Sequence, residues 1–201
     1  MGLQSGLAAD RSVKIVALGD SLTAGYGLAR QDAFPEQLEK ALKAKGVAVE
    51  IENAGVSGDT ASGGLSRLDW SVGEGTDAVI LELGGNDLLR GVDPAVTQRA
   101  LETIVERLKA RNIEVMIAGM RAPPNMAGGD FMPRFEAIFS GLAAKYNLVY
   151  YPFFLEGIAA QAKFALQDGM HPNAAGVSQI VTGIMPKVEE LIARVRAKRG
   201  S

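Results

Sequence analysis

The chain has no cysteine and a single histidine, His171, among 201 residues. Without thiols it can form no disulfide, hold no thiolate-bound metal and use no cysteine nucleophile. With one imidazole, a zinc site would have to rest on carboxylates, and no His-rich ligand spacing exists. No metal and no other cofactor is therefore expected. No apolar run reaches the roughly 18 residues that a membrane-spanning helix requires, so integral membrane association is not expected either. A charge excess is also missing: 21 Lys and Arg stand against 23 Asp and Glu, a net charge of −2, which leaves no electrostatic footprint for nucleic acid. The basic ending Arg194-Val195-Arg196-Ala197-Lys198-Arg199 is the local exception and suits a helix C-terminus, where the dipole favours cations. Residues 1–12, MGLQSGLAADRS, lack the apolar core of a signal peptide. They read as a flexible N-terminal segment ahead of one domain over 13–198, and Leu7-Ala8-Ala9 reads equally as a cleavage remnant or an ordinary frayed start.

What is present is an ordinary globular mixture, 47% hydrophobic and 22% charged, on a chain long enough to bury one core unaided. Short apolar runs alternate with amphipathic stretches. Strands are predicted over Lys14–Leu18, Val47–Ile51, Asp77–Leu83, Ile113–Gly119 and Leu148–Tyr151. Between them, Phe34–Gly46 carries Pro35 near its start, Gly46 past its end, and Leu38, Ala41 and Leu42 on one helical face. A weak helix over 60–69 is opposed by Gly63 and Gly64. Asp93-Pro94 opens a helix whose stripe is Leu101, Ile104, Val105 and Leu108. A long loop over 121–134 precedes a helix over about 134–145. The last helix begins near Asn173 and should kink at Pro186. This alternation calls for a three-layer α/β/α sandwich around a five-stranded parallel sheet with right-handed crossovers.

The chemistry starts at the end of the first strand. Lys14-Ile15-Val16-Ala17-Leu18 stops at Gly19, and Asp20, Ser21 and Thr23 follow in a small polar turn. A serine just past the C-terminal end of a buried strand sits where open α/β sheets place their ligands. Alone, the stretch reads equally as a helix cap. The balance shifts at DGMHPN, residues 168–173, where Asp168 precedes His171 by three residues. A nucleophilic serine needs a base, and the base needs an orienting carboxylate. Ser21, His171 and Asp168 supply those parts with no surplus. Gly58 and Asn86 each follow another strand, and parallel strands end on one sheet edge, so both are carried toward Ser21.

GDSLTAGYG at 19–27, NAGVSGDT at 53–60, LELGGNDLLRG at 81–91 and DGMHPN occur in that order. Together they resemble the GDSL-type serine esterases of the SGNH-hydrolase superfamily, and within it the bacterial multifunctional thioesterase, arylesterase and lysophospholipase branch. The resemblance implies a flavodoxin-like strand order, 2-1-3-4-5, and an acyl-enzyme on Ser21. It also implies an oxyanion hole built from the backbone N–H groups of Ser21 and Gly58 and the side-chain amide of Asn86. The implied substrates are small acyl esters and thioesters: aryl esters, acyl-CoA or lysophospholipid types. The branch further implies export to the periplasm, with a cytoplasmic enzyme as the alternative. Action as a monomer is expected, with higher oligomers left open.

For the acyl pocket, the loop over 121–134 offers Met126, Phe131 and Met132 around Gly128-Gly129, with Leu88 as a further candidate. Leu88, Leu89 and the segment from Phe153 to Leu155 are explained equally well by core packing. Two other functions compete. A carbohydrate O-deacetylase could use the same fold and triad. A nucleotide- or flavin-binding domain would account for the glycine-rich turn and for Glu52, but Gly19, Gly25 and Gly27 do not make G-x-G-x-x-G, and no G-K-[ST] exists.

Overall fold

The computed structural model describes residues 11–121 and 130–200. A five-stranded parallel sheet is built from β1 (Val13–Gly19), β2 (Val49–Gly55), β3 (Ala78–Glu82), β4 (Glu114–Ala118) and β5 (Val149–Tyr151), in the order β2-β1-β3-β4-β5. The helices are α1 (Ser21–Ala24), α2 (Phe34–Ala44), α3 (Ala61–Ser66), α4 (Leu68–Ser71), α5 (Gly85–Leu89), α6 (Pro94–Ala110), α7 (Phe131–Tyr146) and α8 (Ala174–Arg199). Helices α2 and α8 pack together over one face of the sheet, and α6 and α7 over the other. A parallel sheet covered on both faces needs apolar residues on both, and β3 is buried at all five positions, Ala78-Val79-Ile80-Leu81-Glu82. The edge strand β2 alternates instead, with Val49 and Ile51 buried and Glu50 and Glu52 exposed.

Local chemistry explains the helix ends. Asp93 caps α6 by accepting from the Ala95 N–H at 2.9 Å, and Pro94 occupies the first helical position, where an N–H has no acceptor to lose. The stripe Leu101, Ile104, Val105 and Leu108 is buried as its spacing requires. Helix α7 starts at Phe131, earlier than the pattern alone suggests, because Pro133 falls in its first turn and is tolerated there. Phe135 and Phe139 are fully buried and meet edge to face at 5.6 Å between centroids. Pro186, where the sequence places a kink, does not end α8. The helix and its buried stripe run through the proline to Val188, Leu191, Ile192 and Val195.

Register levels the strand ends that matter for function. Gly19 at the end of β1 stands opposite Gly55 of β2 on one side and Glu82 of β3 on the other. The turns that follow therefore emerge side by side. Gly55 is needed for close approach: a Cβ there would lie 2.2 Å from the backbone nitrogen of Ala24 and 2.6 Å from its Cα. Helix α1 thus rests backbone-on-backbone against β2. Gly55→Ala should destabilise the fold by roughly 1–3 kcal/mol, as overpacking does, and should also lift α1 and slow turnover. Urea unfolding is the check, and a midpoint equal to the parent's would mean that α1 does not bear on Gly55.

Candidate active site

Ser21 is the first residue of α1, and Asp20 caps that helix by accepting from the Leu22 N–H at 3.0 Å. The backbone N–H of a first helical residue has no intrahelical acceptor, and Ser21 N bonds to nothing among the described residues. The strand-to-helix turn thus presents a hydroxyl and a free N–H from one residue. It also answers the nucleotide-binding reading of this turn. The helix start that would receive a phosphate already holds the carboxylate of Asp20.

The segment from Phe164 to Asn173 is a tight hairpin. Leu166 N donates to His171 O at 2.7 Å, Asn173 N donates to Phe164 O at 2.8 Å, and Ala165 bridges Pro172. Asn173 also caps α8 by accepting from Gly176 N, while its amide donates to Lys163 O and Ala165 O. Within this clasp, Asp168 Oδ2 lies 2.7 Å from His171 Nδ1, and His171 Nε2 lies 3.0 Å from Ser21 Oγ, 150 residues away in sequence. Asp168 Oδ1 accepts from the backbone N–H groups of Met170 and His171. Those two amide bonds, His171's first, and then the imidazole bond draw the Asp168 carboxyl down to about 2. The geometry fixes the imidazole tautomer: Nδ1 carries a proton for Asp168, and Nε2 is left to accept from the serine.

Gly58 and Asn86 lie on the same cavity as Ser21 and His171. Gly58 has φ +85°, a conformation that L side chains resist, and its N–H has no partner among the described residues. Asn86 is more committed. Its Nδ2 donates to Asp20 Oδ2 at 2.9 Å and to the Asp59 carbonyl at 3.0 Å, so both amide hydrogens tie neighbouring loops together. Asp87 is fully buried and braces the same region, accepting from Ala61 N and from the Thr97 hydroxyl.

Three residues essential to this arrangement escaped the sequence reading. Arg67 donates to Asp59 Oδ2 at 2.6 Å, to the carbonyls of Gly19 and Ala54, and to Ser71 Oγ. It joins the ends of β1 and β2 to the Asp59 loop. Asp59 receives Arg67 on its side chain and Asn86 on its carbonyl. Glu82 closes β3 beneath the serine turn, with Oε2 accepting from the Thr23 hydroxyl at 2.6 Å and from Asp20 N at 3.3 Å. Only Glu82 left a trace in the sequence, as a charged residue in an otherwise apolar strand. It is fully buried and its Oε1 has no partner among the described residues; burial, then the carboxylate of Asp20, pushes its carboxyl well above the usual range. Burial also raises Asp20, offset by its bonds from Leu22 and Asn86. Of the two, Glu82 is raised the further, because it is the more deeply buried and faces the Asp20 carboxylate.

The cavity has a volume of about 460 Å³ and opens over Ser21 and His171. Its apolar wall includes Leu22, Leu88, Leu89, Met120, Phe153 and Leu155. Leu88, a candidate for the acyl pocket, lines this cavity. Phe131 and Met132 do not: they sit in the first turn of α7, half-buried and packed against the core rather than among the described residues lining the cavity. Met126 lies outside the described residues. Among the described residues there is no group of three or more His, Asp or Glu placed to hold a metal ion.

Comparison with known proteins gives concordant results. Residues 17–178 match the model of the GDSL-like lipase/acylhydrolase family. An arylesterase of Vibrio mimicus is 36% identical over 167 residues, covering 83% of each chain. The thioesterase 1/protease 1/lysophospholipase L1 of Escherichia coli (strain K12) is 34% identical over 179 residues, covering 89% of this chain and 84% of that one. The crystal structure of AlinE4, an SGNH-hydrolase family esterase, superposes with a TM-score of 0.75 at 43% identity, covering 90% of this chain and 96% of that one.

The buried acid can be tested by its linkage to folding. A carboxyl whose pKa is raised in the folded state keeps its proton there while the unfolded chain loses it, so stability falls as pH rises above the unfolded value. Glu82→Gln removes that proton exchange. The stability of the variant relative to the parent should therefore increase in urea unfolding as pH rises above the unfolded value of about 4.3. Parallel stability–pH curves would mean that Glu82 is ionised at neutral pH.

Proposed function

From the premise that this chain belongs to the GDSL-like lipase/acylhydrolase family, and is a hydrolase of carboxylic esters and thioesters, we propose that it works through an acyl-enzyme on Ser21. The observation that carries this reading is the continuous relay from Asp168 Oδ2 to His171 Nδ1 at 2.7 Å and from His171 Nε2 to Ser21 Oγ at 3.0 Å. His171 takes the hydroxyl proton as Oγ bonds to the acyl carbon, and the carbonyl π electrons move onto oxygen. Asp168, held ionised by two amide bonds, stabilises the imidazolium. Collapse of the tetrahedral species breaks the bond to the alcohol or thiol, which leaves with the proton from Nε2. Water then repeats the sequence on the acyl-enzyme and frees the acid.

The oxyanion is assigned to the free N–H groups of Ser21 and Gly58, with Asn86 as third donor. Because both Asn86 hydrogens are already engaged, the oxyanion must compete with one of their acceptors. A full negative charge outcompetes the neutral Asp59 carbonyl, so that contact is the one that yields. The apolar cavity wall supports fatty or aromatic acyl substrates, of the aryl ester, acyl-CoA or lysophospholipid types, over the polar surface of a carbohydrate. No described helix is long and apolar enough to cross a membrane. Action in the periplasm, as a monomer, completes the proposal and rests on likeness to the thioesterase branch.

Ser21→Ala should lower kcat by roughly 10⁴-fold or more without unfolding the protein. Turnover of p-nitrophenyl esters near the parent rate by the pure, folded variant would end the mechanism. The single histidine permits a second, independent check. Diethyl pyrocarbonate should abolish activity as one imidazole per chain is modified, hydroxylamine should restore it, and EDTA should have no effect. On the acid side the rate should fall with the slope of one proton, since only neutral imidazole accepts the serine proton and Asp168 stays ionised down to about pH 2. Activity surviving complete modification of His171 would remove it as the base.

A further inference from the structure

Next to the catalytic relay is an aromatic ring that the chemistry above does not use. The ring of Tyr26 lies 4.5 Å, centroid to centroid, from the imidazole of His171, tilted by 37°. Its placement is built into the chain. Tyr26 N donates to the carbonyl of Ser21 at 3.1 Å, which ties it to the turn that carries the hydroxyl. Gly25 and Gly27 flank it at φ +77° and +74°, and a Cβ on Gly25 would lie 2.4 Å from that of Ala33. The Tyr26 hydroxyl makes no hydrogen bond to any described residue, so the ring itself is the functional part. Tyr26 and Met170, the chain neighbour of His171, both line the cavity and are 52% and 54% exposed. Large apolar side chains left this open at a site mouth have surface available for something else to cover.

Proton transfer dictates what that is. His171 Nδ1 is committed to Asp168, so the leaving group must collect its proton from Nε2 and must depart on the imidazole side of Ser21. Tyr26 meets the imidazole ring, Met170 is the chain neighbour of His171, and both line the cavity. We propose that they form the leaving-group subsite of this hydrolase, and that the Tyr26 ring selects flat, aromatic alcohols over aliphatic ones of similar size. The inference rests on the acyl-enzyme reading and adds to it the side of the cavity that each half of the substrate occupies.

The test compares benzyl acetate with cyclohexylmethyl acetate, which share an acyl group and differ in the flatness of two alcohols of similar bulk and basicity. The parent should favour the benzyl ester in kcat/KM. Tyr26→Phe should keep that preference, because the hydroxyl is unused. Tyr26→Leu should reduce it by about 3- to 10-fold, the range expected for loss of a ring-on-ring contact. In the same variant the ratio of benzyl hexanoate to benzyl acetate should stay at the parent value, since the acyl chain lies elsewhere. A benzyl preference unchanged in Tyr26→Leu, or lost in Tyr26→Phe, overturns the subsite. Ser21→Ala, run alongside on both esters, separates the two levels. If it is inactive and the preference does not respond to Tyr26→Leu, the subsite alone fails. If it remains active, the acyl-enzyme reading fails first.

Discussion

One guanidinium holds the catalytic edge together. Arg67 reaches the carbonyl that ends β1, a carbonyl near the end of β2, the Asp59 side chain and a hydroxyl on α4. Hydrogen bonds of this charged kind contribute about 1.5–3 kcal/mol each, and removing a cation from a carboxylate that is mostly shielded costs more than the bonds themselves. The strand register delivers three turns to one place, but only to within the freedom of their loops. Arg67 removes that freedom. Through Asp59 it also reaches Asn86, so the serine turn, the Gly58 loop and the Asn86 helix form one hydrogen-bonded body.

Beneath that body lies an acid that stability alone would not choose. Glu82 occupies the end of a strand that is otherwise entirely apolar, with one oxygen unpartnered among the described residues. In return it accepts from Asp20 N and from Thr23, the residues on either side of Ser21–Leu22, so it grips both ends of the turn that displays the hydroxyl. Gly19 leaves room for this: a Cβ there would lie 2.0 Å from the Thr23 hydroxyl and 2.5 Å from Glu82 Oε2. Precision at a reacting atom is commonly held at some expense to folding, and here the cost is confined to one carboxyl.

The layers could be read from the sequence because they rest on local signals, whereas the strand order β2-β1-β3-β4-β5 came only from the resemblance carried by four motifs. Apolar runs mark the strands, and with one histidine in the chain there was no competing base for Ser21. The pocket was harder. Apolar residues beside a site look the same in sequence as apolar residues of the core, and the start of α7 drew Phe131 and Met132 into the latter. The roles of Arg67 and Glu82 were hidden for a different reason. Their partners lie 48 and 62 residues away, and only the register of β1 against β2 and β3 brings them within reach. Tyr26 sat inside a recognised motif, yet nothing in one dimension says that its ring faces an imidazole 145 positions later.

The order of parts along the chain also bears on how the protein comes into being. The serine turn, the Gly58 loop and the Asn86 loop all belong to the first half of the chain. The proposed base arrives 150 residues after the nucleophile, in a hairpin clasped to the start of the final long helix. A domain folds as a unit, so until the whole chain is made the proposed nucleophile has nothing to activate it. An esterase organised this way is silent on the ribosome. The first turnover it can perform marks the docking of its last helix, so hydrolysis itself reports that folding is complete.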